Sequence, residues 1–128
     1  MTGLATAALV AVGAAVGAPC RWLLDRAVQA RHDSVFPWGT FVVNVLGSVV
    51  LGVLLGASAF GSVPAGLMVL LATGFAGAFT TYSTFAYETV RLFEDGATQL
   101  ALVNVTVSLG LGLLAALGGW YLAVAMWG

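Results

Sequence analysis

The sequence predicts an all-α integral membrane protein with four transmembrane helices, and three observations carry that prediction. Of 128 residues, 61% are hydrophobic and only 7% are charged, at a mean hydropathy of +1.06. A soluble domain carries about 25% charged residues, so this composition cannot clothe a water-facing surface. Four apolar stretches have the length that crossing a bilayer demands, about 20 residues each. Short polar joints with proline or glycine separate them: "ARHDSVFPW", "GSVP" and "FEDGATQ".

The spans fall at about 3–29, 39–60, 64–92 and 97–127, one membrane domain with no separate soluble module. The first is an Ala/Gly-rich run that continues past Arg21, Trp22 and Leu24 to the interface. It has no basic residue before Arg21, so we expect a retained span and not a cleaved leader. Pro37 closes the first joint, and Pro64 suits the first turn of the third span. Trp22, Trp38, Trp120, Tyr121 and Trp127 sit near segment ends, where amphipathic rings favour the headgroup region. All four arginines (Arg21, Arg26, Arg31, Arg91) lie in or beside the first and third joints, and there is no lysine. The positive-inside rule then expects those joints in the cytoplasm and both termini outside. Near-cancelling charge implies no nucleic-acid partner, and the lone Cys20 excludes an intrachain disulfide.

Small residues recur four apart, as in Gly13/Gly17, Ala14/Ala18 and Gly52/Gly56, a spacing that lets helix backbones approach in lipid. Four slim helices enclose little volume. An oligomer is expected, with any pathway near the subunit contact.

Polar side chains deep in lipid need a partner or a wet path. Thr40, Asn44 and Ser48 form one stripe on the second span, and Asn104 and Ser108 another on the fourth. By pattern alone, both read as interhelical hydrogen bonding before they read as a permeation path. The third span holds five successive hydroxyl residues, Thr80 to Thr84. Hydroxyls compete with helical backbone pairing, and Gly74 and Gly77 just before them tolerate unusual dihedrals. A break in the helix is expected here; a continuous helix with hydroxyls bonded to the preceding turn is the alternative. Freed carbonyls at such a break have the chemistry to hold a cation. Ionisable groups lie at or beyond span ends, except Glu88, which reads as a capping residue or a partner for Arg91 at i+3. With no other carboxylate or histidine to couple protons, the mode suggested is passive.

Three blocks carry a family resemblance: "GAAVGAPCRW" in the first span, "GTFVVNVLGSVVLG" in the second and "GFAGAFTTYSTFAYE" in the third. The chain resembles the fluoride channel family (Fluc, also called CrcB) over essentially its whole length. The resemblance implies a passive, selective fluoride exit channel in the bacterial plasma (inner) membrane, conferring fluoride resistance. It implies an antiparallel, dual-topology dimer of four-helix subunits with two pores and a broken third helix. A structural sodium ion (Na+) at the dimer centre would be held by backbone carbonyls that fall on Gly77 and Thr80. The pore asparagine falls on Asn44, the two pore aromatics on Tyr82 and Phe85, and the hydroxyl track on Ser83, Thr84, Thr40 and Ser108. Tyr82 departs from the usual phenylalanine, and Asn104 stands where the family often has tyrosine. An antiparallel homodimer needs a near-neutral insertion bias, and four arginines on one side against none is not ideal for it. Some family members form heterodimers from oppositely biased chains, and this chain could be one half of such a pair with an oppositely oriented homologue.

Those residue types suit the implied ion. Fluoride is tightly hydrated, and its desolvation has to be met by donors along the whole path without trapping it. A carboxamide offers two N–H donors, hydroxyls offer more, and aromatic edges carry partial positive charge. Two rival readings remain. A small multidrug-type, proton-coupled exporter needs a carboxylate in its first span, and residues 3–20 contain none. A structural subunit of a membrane complex would use the polar stripes as helix glue.

Overall fold

A computed structural model describes all residues, Met1–Gly128. The chain is all-helical, and four helical spans are long and apolar enough to cross a membrane. Helix α1 runs Gly3–Gln29. Thr2 caps it, its Oγ1 accepting the Ala5 N–H at 3.1 Å. Arg26 in the last turn complements the helix dipole, and its guanidinium lies 4.7 Å over the Trp22 ring. Helix α2 runs Trp38–Ala59. The joint before it is tied by Gln29, whose side-chain carbonyl accepts the Gly39 N–H at 3.2 Å.

The third span is built in pieces: α3 (Ala65–Met68), a π-helical stretch (Val69–Ala76), α4 (Gly77–Phe79) and α5 (Ser83–Glu94). Nothing in the hydropathy pattern signals the π winding. Helix α6 runs Thr98–Trp127. Gly61 and Gly96 sit in the turns with φ of 73° and 82°, a conformation that L side chains rarely adopt.

Packing follows the small residues. Helix α1 lies on the π-helical stretch, where a Cβ on Gly13 would overlap the Leu70 carbonyl and one on Gly17 the Phe75 carbonyl. Helix α2 lies on α6 in the most extensive contact of the fold. There Gly52 faces the Ala116 carbonyl and Gly119 faces the Val49 carbonyl, each with no space for a side chain. Backbone approach of this kind substitutes for the hydrophobic driving force that lipid does not provide.

Gly74 differs from its expected use. No glycine in the third span has positive φ. Gly74 is small because α1 is close: an added Cβ would lie 2.9 Å from the Val10 carbonyl oxygen and 3.0 Å from Gly13 Cα. Gly77 is helical as well, at φ −61° and ψ −39°.

Candidate functional site

The third span breaks at Thr80, which turns to extended backbone at φ −84°, ψ 162°. Its N–H still bonds the Ala76 carbonyl at 3.0 Å. Beyond it, helical pairing resumes only with the Ala86 N–H on the Tyr82 carbonyl at 2.9 Å. The carbonyls of Gly77, Ala78, Phe79 and Thr80 accept no backbone hydrogen bond, and the N–H groups of Tyr82, Ser83 and Phe85 donate none. One half-helix therefore presents its negative end at the break and the other its positive end.

Asn44 on α2 fills the gap. Its Oδ1 accepts the Thr81 N–H at 2.8 Å, and its Nδ2 donates to the Thr81 carbonyl at 2.9 Å. The carboxamide thus takes the place of a neighbouring backbone strand for the one residue with no helical partner. Thr81 supplies the other half of the join. Its Oγ1 accepts the Thr84 N–H at 3.1 Å, as an N-cap does, and donates to the Thr84 hydroxyl at 3.0 Å. Gly47 makes room for the turn, since a side chain there would overlap the Thr80 methyl.

Two recesses meet at Thr81. The larger, of about 340 Å³, is lined by Asn44, Ser48, Thr80, Thr81, Tyr82, Phe85 and Ser108, with leucines of α2 and α6 completing the wall. It opens to the side, where Tyr82 is 78% exposed. The Tyr82 and Phe85 rings both line it, with centroids 6.2 Å apart and planes tilted by 44°. The smaller recess, of about 140 Å³, is lined by Arg21, Trp22, Asp25, Thr40, Val43, Thr81 and Thr84. The predicted pathway residues are therefore divided. Asn44, Tyr82, Phe85 and Ser108 share one recess, while Thr40 and Thr84 line the other. Ser83 is exposed at the break, its Oγ 3.4 Å from the Thr81 hydroxyl.

Hydroxyl protons are largely committed. Ser48 donates to the Asn44 main-chain carbonyl at 2.8 Å, and Ser108 to Asn104 Oδ1 at 3.1 Å. Thr80 donates back to the Ala76 carbonyl at 2.9 Å, the bond expected of a hydroxyl on a continuous helix. Asn104, buried at 1% exposure, donates across to Thr89 on α5 at 2.9 Å and ties α5 to α6. Asn44 and Tyr82 both line the larger recess; the Asn44 Nδ2 makes a single hydrogen bond, leaving its second N–H without a partner, and the Tyr82 hydroxyl makes none.

Glu88 is not paired with Arg91. Arg91 reaches Asp95 at 3.9 Å on the exposed surface, because the i+4 partner lies on the water side while Glu88 turns inward. Glu88 Oε1 is buried without a partner, as is Arg21 Nε. Asp25 lies against α2 where Gly39 leaves space, since a Cβ at Gly39 would overlap the Asp25 carboxylate.

Reading residue types missed Thr81 and Ser48 as parts of the site. The signal for Thr81 was present: a threonine three residues before Thr84, at the start of an amphipathic helix, is a cap pattern.

Four membrane-crossing helices, with a recess at the broken span walled by α2, the break and α6 and carrying uncharged polar groups, define a multi-pass membrane protein. The chain belongs to the CrcB family: the model described as "CrcB-like protein, Camphor Resistance (CrcB)" matches residues 8–120. It is 55% identical over 119 residues to fluoride-specific ion channel FluC 1 of Streptomyces avermitilis, covering 93% of this chain and 96% of the relative. It is 54% identical over 125 residues to FluC 1 of Frankia casuarinae, at 94% and 97% coverage. Identity to FluC 2 of Mycobacterium tuberculosis H37Rv is 44% over 108 residues, at 84% and 82% coverage.

Proposed function

We propose that this chain is a fluoride-selective ion channel of the bacterial membrane, which moves the ion down its electrochemical gradient and is not an enzyme. The observation that carries the reading is near-full-length identity above one half to proteins named for that activity. The site agrees with it in kind. Neutral donors and ring edges at a helix break suit a small anion that has to be desolvated and then released.

The anion pathway runs through Asn44, Tyr82, Phe85, Ser83, Thr84, Thr40 and Ser108. Asn44 offers its free N–H, and the rims of Tyr82 and Phe85 turn positive edges to the ion. Thr84, Thr40 and Ser83 extend the path past the break toward the smaller recess. Ser108 donates a hydrogen bond to the ion only by releasing Asn104, so it acts in transit and not as a fixed donor.

Two subunits pair in antiparallel fashion across the break, as a homodimer or with an oppositely oriented homologue. Support comes from Gly77, where an added Cβ would find no atom nearer than a carbonyl oxygen of its own helix at 3.8 Å. That face is open in the single subunit and suits close approach by another. The unpaired carbonyls of Gly77 and Thr80 fit a structural sodium ion there. When bound, sodium supplies the positive charge that offsets the negative end of the half-helix. Gly77 and Thr80 bind it through main-chain oxygen.

Proteoliposomes loaded with fluoride and read with a fluoride electrode test the function. Fast fluoride efflux, negligible chloride efflux and no requirement for a proton gradient are expected. Efflux that needs a proton gradient would replace the channel reading with a coupled exporter.

A further inference from the structure

We propose that Thr81 is a positioning residue for anion selection: its main chain fixes the Asn44 carboxamide in one orientation, so that an N–H is what the larger recess offers a passing ion. The inference rests on the fluoride reading and adds to it a reason why the break and the asparagine belong together.

An unrestrained asparagine rotates its amide and presents oxygen as readily as nitrogen, which would suit a cation as well as an anion. Here the choice is forced. Thr81 has lost its helical partners, so its N–H and its carbonyl both need satisfying at membrane depth. Asn44 Oδ1 takes the first at 2.8 Å and Asn44 Nδ2 gives to the second at 2.9 Å. Turning the amide over would set Nδ2 hydrogens against an N–H and Oδ1 against a carbonyl. Two attractive contacts would become two repulsive ones, so the assignment of oxygen and nitrogen follows from backbone polarity.

The consequence concerns what is left over. The Oδ1 is engaged and one N–H is spent. The second N–H is the carboxamide's one uncommitted donor, at a recess that Asn44 lines. The neighbouring hydroxyls of Ser48 and Ser108 have their protons on other acceptors. Thr81 is anchored in turn by its own hydroxyl, which caps α5. A continuous third span would leave Asn44 unbraced, and its oxygen would be free to enter the path.

Nitrogen-15 NMR of the full-length protein in lipid nanodiscs tests this, because Asn44 and Asn104 are the only asparagines. Asn44→Ala assigns the Asn44 side-chain signal by difference. On titration with sodium fluoride, with sodium chloride as control, one of the two Asn44 Nδ2 proton resonances is expected to shift. The other, bonded to Thr81, stays in place and exchanges slowly with solvent. Equal movement of both, or averaging of the two by rotation, overturns the proposal. Asn44→Gln keeps the same amide chemistry one methylene farther out and cannot keep both bonds to Thr81. Its fluoride flux is expected to fall about ten-fold or more, with chloride leak rising relative to fluoride. Wild-type flux and selectivity in that variant overturn the proposal even if the NMR result stands. A wild-type protein that carries no fluoride, yet shows one fixed and one free Asn44 proton, defeats the fluoride reading and leaves the orientation lock in place.

Discussion

Asn44 carries two jobs that a single substitution separates poorly, so its variants have to be read together. Asn44→Ala removes both bonds to Thr81 and the free donor. Leaving the Thr81 N–H and carbonyl unpaired costs about 1–3 kcal/mol each before any effect on the ion. Fluoride flux in proteoliposomes is expected to be abolished, with helical content by circular dichroism retained. Phe85→Ile keeps the volume and removes the polarised ring edge. Its flux is expected to drop while its melting temperature in detergent changes little. Wild-type flux in Phe85→Ile would remove the aromatic from the pathway. Thr81→Val deletes the cap on α5 and is expected to destabilise by about 1 kcal/mol, with Thr81→Ser restoring stability. Residue types pointed to Asn44, Tyr82 and Phe85 only with the family resemblance behind them. They did not point to the Asn44–Thr81 pairing, because those residues are 37 apart in the chain and only the fold brings them together. They also placed Glu88 opposite Arg91 from i+3 spacing, which ignores that one faces inward and the other faces water.

Among the helices, the contact surfaces were readable and their winding was not. Gly13, Gly17 and Gly52 sit where backbones touch, and four-residue spacing in lipid signals that use. Gly74 serves the close approach of α1 and not torsional freedom. A glycine's φ is invisible to composition, and a close neighbour from another span is equally so. The π-helical stretch Val69–Ala76 has the same apolar residues as any span, so hydropathy cannot reveal it. Gly119→Val on α6 drives a branched side chain into the Val49 carbonyl and the Val53 amide of α2. Overpacking of this kind costs about 1–3 kcal/mol, and more where backbone is the obstacle. Loss of monodisperse protein on size exclusion, with Gly110→Val as a control in open space, checks it.

At the scale of the whole molecule, the unsatisfied main chain at the break has to be covered. One subunit leaves four successive carbonyls without backbone partners, at a membrane depth where water is scarce. The second subunit and the cation proposed above would answer that need, so assembly and function are expected to fail together. Gly77→Leu points a bulky chain from an open face and should leave the isolated subunit helical. It is expected to remove the dimer, measured by crosslinking in membranes, and the fluoride flux with it. Retained flux in a monomeric Gly77→Leu protein would place the pathway inside one subunit. The four spans were evident from composition and joints, since crossing a bilayer leaves few alternatives for so apolar a chain. The choice between homodimer and heterodimer is not legible in the chain: its four-to-none arginine bias departs from the near-neutral bias an antiparallel homodimer needs, yet names no partner.

Driving force and selectivity converge in one measurement. A membrane potential of 100 mV supplies about 2.3 kcal/mol per charge, enough to expel fluoride without a coupled ion. Vesicles of the purified chain, loaded with equal fluoride and chloride and given a potassium/valinomycin potential at fixed pH, should lose fluoride within seconds and keep their chloride. Equal loss of the two halides, or fluoride loss only when a proton gradient is added, would contradict the account.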